Sequence, residues 1–247
     1  MEDRKHAAGL MDDRWYRRLI VVAVCLVIGA SVGSQLLMQF GGGPRDEPMD
    51  LSDQIGEDFQ GLAIFPDGLP PFISSGGLFY PEKAIFDWGL GLGGIVFCIL
   101  AIELTIRTQR ELISRESHRL RTALNLGQFI AALVVGISLV MLTQYPFHLY
   151  FLNHLLVANG IFYGSMVWGG LLTLARSGLD GKIQWRGFSL NHWRWLLVVI
   201  GVASYFLMTG FGAQRSFHLS ALFEWLLTLS SEAITLTLLL TGLESDG

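Results

Sequence analysis

Apolar residues run in long blocks along this chain, and polar residues gather between the blocks instead of alternating with them. Six blocks lie at about 19–40, 84–106, 124–145, 149–175, 195–213 and 219–243. Each reaches the roughly 20 residues that a helix needs to cross a hydrocarbon core about 30 Å thick. The pattern predicts an all-α polytopic membrane protein: a six-helix bundle forming one domain over 1–247, whose longest connection is the loop 41–83. A cleaved signal peptide is not predicted at the first block. That block runs unbroken for some twenty residues behind a mixed-charge tail, whereas a secretory apolar core spans about 7–15.

Charge adds direction to this picture. Arg4, Lys5, Arg14, Arg17 and Arg18 precede the first block, Arg107, Arg110, Arg115, Arg119 and Arg121 fill the second connection, and Arg176, Lys182, Arg186 and Arg194 the fourth. The alternate connections hold only Arg45, Lys83 and Arg215. The asymmetry predicts both termini on the cytoplasmic side and loop 41–83 outside or in a lumen, leaving plasma membrane and endomembrane undivided. Glu111 and Glu116 interrupt the second basic group, so these charges read as topology signals more than as a lipid-binding patch. Half of the residues are hydrophobic (51%) and only 15% charged, which points to membrane lipids as partners and not to nucleic acid. Cys25 and Cys98 fall inside blocks, so no disulfide framework is expected, and no Asn-x-Ser/Thr acceptor occurs.

The loop 41–83 has two halves. Asp46, Glu47, Asp50, Asp53, Glu57 and Asp58 make the first half acidic, without calcium-loop spacing. The second half, with Pro70, Pro71, Phe72, Ile73, Gly76, Gly77, Leu78, Phe79, Tyr80 and Pro81, is too apolar for a free loop and too broken for a helix. It is expected to lie as an extracytoplasmic proline-rich cap over the mouth of the bundle, where a membrane-protein partner is a further option.

Polar residues inside the blocks cluster near that same end. Gln35 and Gln39 close the first block, Asp87 lies one turn into the second, Gln144 and His148 border the third and fourth, His154 and Asn159 open the fourth, and Glu224 follows His218 in the sixth. In hydrocarbon each needs a partner or a water-filled cavity. The gathering predicts a headgroup pocket built from Pro71, Phe72, Glu82, Lys83, Asp87, His154, Asn159, Glu224 and Trp225. For Glu224 two readings stand level: a carboxylate that grips an ammonium or hydroxyl or moves a proton, and an inter-helix hydrogen bond worth about 1 kcal/mol. Glu232 with Thr228, Ser231 and Thr235 forms a stripe down the sixth block, read as packing ahead of a proton path. Glu103, Asn125 and Gln128 receive no role.

The motif Pro71-Phe72-Ile73-Ser74, then Pro81-Glu82-Lys83 and Phe86, with His154 opening the fourth block and Glu224-Trp225 in the sixth, resembles the damage-regulated autophagy modulator (DRAM)-like and FGF-receptor-activating-protein-like six-span family. Ser75 stands where the family carries an acidic residue. The resemblance implies a lipid-binding or lipid-organising protein without catalysis. Relatives that remodel the lipid of glycosylphosphatidylinositol anchors imply an alternative, an enzyme for lipid hydrolysis or acyl exchange using His154, His218, Glu224 and Asp87. No H-x-x-x-H pair, G-x-S-x-G elbow or metal-ligand spacing supports that alternative, and no metal or cofactor is expected. A transporter or channel is the third class, with no broken-helix pair or internal repeat in its favour.

Overall fold

The computed structural model describes residues 9–40, 71–116 and 119–241. The acidic run 46–58, Pro70, and the basic residues Arg4, Lys5 and Arg45 lie outside the described residues. Helices α1 (Asp13–Phe40), α2 (Glu82–Ser114), α3 (Arg119–Leu142), α4 (Phe151–Asp180), α5 (Leu190–Ala213) and α6 (Phe217–Leu236) follow in order, the last tightening into a 3-10 turn at Thr237–Leu240. All six reach membrane-spanning length and apolarity, and the protein is an all-α, multi-pass membrane bundle. Local chemistry marks several ends. The Asp12 carboxylate accepts from the Trp15 amide at 2.9 Å and caps α1, Pro81 immediately precedes α2, and the Ser189 hydroxyl accepts from the His192 amide at 3.4 Å at the start of α5.

The helices and the apolar blocks differ chiefly at the arginine-rich end. There α1 starts at Asp13, α2 runs on to Ser114, α4 to Asp180, and α5 begins at Leu190. Hydropathy marks where side chains stop being apolar, while the backbone ladder continues through arginine and glutamate into the interfacial layer. The fourth connection also holds a small hairpin, β1 (Gln184–Trp185) and β2 (Phe188–Ser189), in which Trp185 lies opposite Phe188. Arg186 and Gly187 between them both take positive φ, 53° and 85°, which is the type I′ requirement of a two-residue turn.

Sequential helices pack closely, with one exception: α4 touches α5 much more sparsely than any other sequential pair touches. Contacts between α1 and α6 close the ring. Inside lie Ile20, Leu100, Leu104, Trp168, Leu172 and Leu227, all at most 1% exposed. Outside, Val22, Ile95, Ile137, Leu152, Val199 and Phe206 leave an apolar surface on every side, as lipid demands.

The segment 71–81 caps one end. Its 3-10 turn Ile73–Gly77 lies against α1 and α2, and Gly76 is needed there because a Cβ would run into the Ser34 side chain. Gln35 on α1 holds the turn by donating from Nε2 to the carbonyls of Phe72 (2.8 Å) and Ile73 (3.1 Å) and to the Ser75 hydroxyl (3.1 Å). Ser75 in turn donates to the Phe72 carbonyl at 2.6 Å and is fully buried. At the position where the family resemblance points to a carboxylate, this chain has a short hydroxyl that closes the turn on itself.

The opposite end is tied by charge. Leu10 and Met11 amides donate to the buried Glu103 carboxylate at 2.8 and 3.4 Å, and Arg107 bonds Glu103 (2.6 Å), the Met11 carbonyl (2.6 Å) and Asp13. Deeper in, Arg176 and Arg194 share Asp180. Glu103, Asn125 and Gln128, given no role from sequence, are therefore structural anchors. Asn125 donates to the Thr105 carbonyl at 3.0 Å, and Gln128 links Thr105 (2.9 Å) to the Trp168 indole (3.0 Å) across α2, α3 and α4.

Candidate functional site

Beneath residues 72–74, in the sparse gap between α4 and α5, lies a cavity of about 530 Å³. Its volume falls in the range of roughly 300–1,000 Å³ typical of small-molecule sites. Phe147, Phe151, Leu155, Phe162, Met208 and Phe217 give it apolar walls, and His154, Asn159, Tyr205, Thr209, Ser220 and Glu224 add polar atoms. Along α4 the lining runs from Phe151 to Phe162, about 16 Å at 1.5 Å per residue, so the pocket is about one leaflet deep.

Each polar wall residue is positioned by the fold. His154 is buried on the inner face of α4, its Nδ1 2.7 Å from the Tyr145 carbonyl oxygen and its ring edge-on to Phe147 at 5.6 Å. Asn159, one turn and a residue further, donates to the Leu155 carbonyl (2.9 Å) and accepts from the Tyr205 hydroxyl of α5 (2.9 Å). Glu224 on α6 accepts the Ile73 amide at 2.7 Å through Oε2. Next to it the Trp225 indole donates to the Pro71 carbonyl at 2.9 Å, so two consecutive α6 side chains grip the cap backbone.

Of the residues expected from sequence, Phe72, His154, Asn159 and Glu224 line this cavity. Pro71 and Trp225 hold the cap beside it. Glu82, Lys83 and Asp87 stand apart, on the first turns of α2: Glu82 is buried, and Lys83 pairs with Asp87 at 2.7 Å. His218 is on the exposed side of α6 and lines neither described cavity. Thus, of the four candidates for catalysis, His154 and Glu224 face a common space, whereas Asp87 and His218 do not join them. No group of three or more His, Cys, Asp or Glu able to hold a metal ion occurs among the described residues.

Sequence reasoning did not single out Tyr205, Thr209 or Ser220. In the sequence they are unremarkable residues of the fifth and sixth blocks, and only the placement of α5 and α6 beside α4 brings them to the pocket. His148, at the border of the third and fourth blocks, lies outside the cavity with its ring 5.9 Å from Phe79. Burial, with the Lys83 ammonium nearby, holds its imidazole below the usual histidine range.

A second, narrower cavity of about 70 Å³ runs down the bundle axis from Ser74 to Thr235 and shares His154 and Glu224 with the first. Glu232 lines it together with Ser31, Ser165, Thr228 and Ser231. The hydroxyls of Ser31, Ser165 and Thr235 donate to carbonyls of their own helices at 2.8, 3.0 and 3.2 Å. Trp168, 1% exposed, also lines it.

Six apolar helices, three of which wall a leaflet-deep pocket with a few converging polar groups, define an integral multi-pass membrane protein with a lipid-facing architecture. The chain belongs to the family described as Frag1/DRAM/Sfk1/Cwh43P N-terminal domain, which it matches over residues 52–240. No curated protein and no solved structure gives a match.

Proposed function

We propose that the protein holds an amphiphilic lipid in the α4–α5–α6 pocket, with the headgroup against His154, Asn159 and Glu224 and the chain along the phenylalanine-lined wall. The observation that carries this reading is the convergence of those three side chains on one apolar cavity of about 530 Å³. The distribution of lysine and arginine supports an orientation with both termini cytoplasmic, which sets the pocket at the level of the extracytoplasmic leaflet and the segment 71–81 as its cover. Binding and presentation of lipid, without covalent chemistry, is the role assigned, because Asp87 and His218 do not share the space of His154 and Glu224.

Ala158 lines both cavities, so Ala158→Trp should fill the pocket from its wall. Native mass spectrometry of the detergent-purified protein is expected to show a co-purifying lipid on the wild type and its loss in this variant. Leu222→Trp, on the lipid-exposed face of α6 at 46% exposure, should keep the lipid. Retention of the same lipid at the same stoichiometry by Ala158→Trp would remove the pocket from the proposal.

A further inference from the structure

We infer that this pocket selects an amphiphile headed by a protonated primary amine and turns away phosphate- and carboxylate-headed lipids, an inference that rests on the pocket being an amphiphile site. The reason is a count of where each hydrogen goes. A carbonyl oxygen only accepts, so the contact of His154 Nδ1 with the Tyr145 carbonyl places the proton on Nδ1, and in the neutral ring Nε2 is left as a lone pair. The Tyr205 hydroxyl spends its proton on Asn159 Oδ1 at 2.9 Å. Thr209 spends its own on the Tyr205 and Phe206 carbonyls at 3.1 and 3.0 Å, and Ser220 on the Met208 carbonyl at 2.8 Å. One N–H of Asn159 goes to Leu155.

What remains facing the cavity is dominated by acceptors: His154 Nε2, Glu224 Oε1, and the lone pairs of Thr209 and Ser220, the Tyr205 hydroxyl being engaged by both Asn159 and Tyr163. Set against these are the Ser74 hydroxyl and the second Asn159 N–H. Neither lysine nor arginine lines the cavity. Glu224 receives the Ile73 amide and has no ion-pair partner among the described residues. A carboxylate so placed is completed by a cation with donors to give. An ammonium brings three donors and no acceptor, which is the complement of this wall. Phosphate or carboxylate would set acceptors against acceptors and a negative charge against Glu224, losing hydration without recovering hydrogen bonds. A lipid hydroxyl shares the donor chemistry but not the charge.

The test uses the full chain in detergent and four single-chain probes that differ in headgroup: oleylamine, oleyl alcohol, oleic acid and oleoyl lysophosphatidate. Dissociation constants would be read from concentration-dependent thermal shifts at neutral pH. Oleylamine is expected to bind at least about tenfold tighter than oleic acid or the lysophosphatidate, with oleyl alcohol between, because like charges brought together cost a large fraction of the binding energy. Glu224→Gln should erase most of the amine's advantage over the alcohol. Met208→Lys, on the opposite wall, should weaken the amine and strengthen oleic acid, and it covers the case in which Glu224→Gln fails to fold. Equal binding of oleic acid and oleylamine, or an amine preference untouched by both variants, would overturn the headgroup assignment while leaving the pocket intact. If no probe shows binding that Ala158→Trp abolishes, the amphiphile reading itself falls, and the headgroup assignment with it.

Discussion

Asp180→Ala is expected to destabilise the folded bundle by about 3–5 kcal/mol, the cost of stripping a buried ion pair of one partner. Asp180 is the shared anion of two guanidinium groups. Arg176 forks onto it through Nε and Nη2, both at 2.8 Å, and Arg194 Nη1 meets Oδ2 at 2.6 Å. Arg176 also reaches the Thr108 hydroxyl (2.9 Å) and Glu111 (3.2 Å), and Arg194 reaches the Thr237 hydroxyl (2.8 Å), so the cluster joins α2, α4, α5 and the end of α6. Exposure decides the magnitude: Arg194 is 0%, Asp180 1% and Arg176 3% exposed. Water cannot replace the lost carboxylate, and Arg194 Nη2 already lacks a partner among the described residues. Thermal and denaturant unfolding in detergent would measure the effect, and Asp180→Asn should recover only part of it because it restores shape without charge. A loss under about 1 kcal/mol would mean that the cluster relaxes into solvent on mutation. The contrast is Asp87→Ala. Its pair with Lys83 is partly solvated, with side chains 27% and 18% exposed, and about 0–1 kcal/mol is expected there.

The second large effect is expected at Gly94→Leu, where α2 meets α3. A Cβ on Gly94 would fall against the Gly136 carbonyl oxygen, and one on Gly136 would fall against the Cys98 sulfur and the Gly94 carbonyl oxygen, so the two helices touch backbone to backbone. In lipid, where burial of apolar surface drives helix association little, such close approach supplies much of the packing energy. Leucine cannot be absorbed by a rotamer change because the obstacle is main chain. The helices must separate, and about 1–3 kcal/mol or more is expected, as for overpacked cores. Gly91→Leu is the matched control, since nothing lies within 4 Å of its Cβ position. Parallel melting curves would show Gly94→Leu well below wild type and Gly91→Leu near it. Similar melting of the two variants would show that the α2–α3 contact has room to give.

Much of the architecture was legible in the apolar blocks. A block long enough to span hydrocarbon must satisfy its backbone internally, so helix number follows from local sequence with little help from packing. The candidate site was legible in part. His154, Asn159 and Glu224 stood out because ionisable and amide groups are costly inside a membrane, and they do line one cavity. Asp87 and His218 carried the same signal and lie elsewhere. Asp87 faces Lys83 one turn away on its own helix, and His218 is turned outward. Depth along the membrane can be read from sequence position. Azimuth around the bundle cannot, because it depends on which helices are neighbours.

Arg176 and Arg194 show the same division at the other end. Counted along the chain they are topology charges in a connection, yet α4 and α5 extend past their apolar blocks and carry both arginines into a buried cluster with Asp180. By itself, then, the sequence determined the six membrane helices, the basic character of one end and the family pattern. Those features depend on block length, composition and short motifs, which are local. Only the tertiary structure decided that Glu224 meets the Ile73 amide, that Tyr205 meets Asn159, and that α4 stands off from α5 to leave a pocket. These are contacts between residues far apart in the chain, and their partners are chosen by packing, since a polar group in lipid bonds with whatever donor or acceptor the neighbouring helix brings within reach.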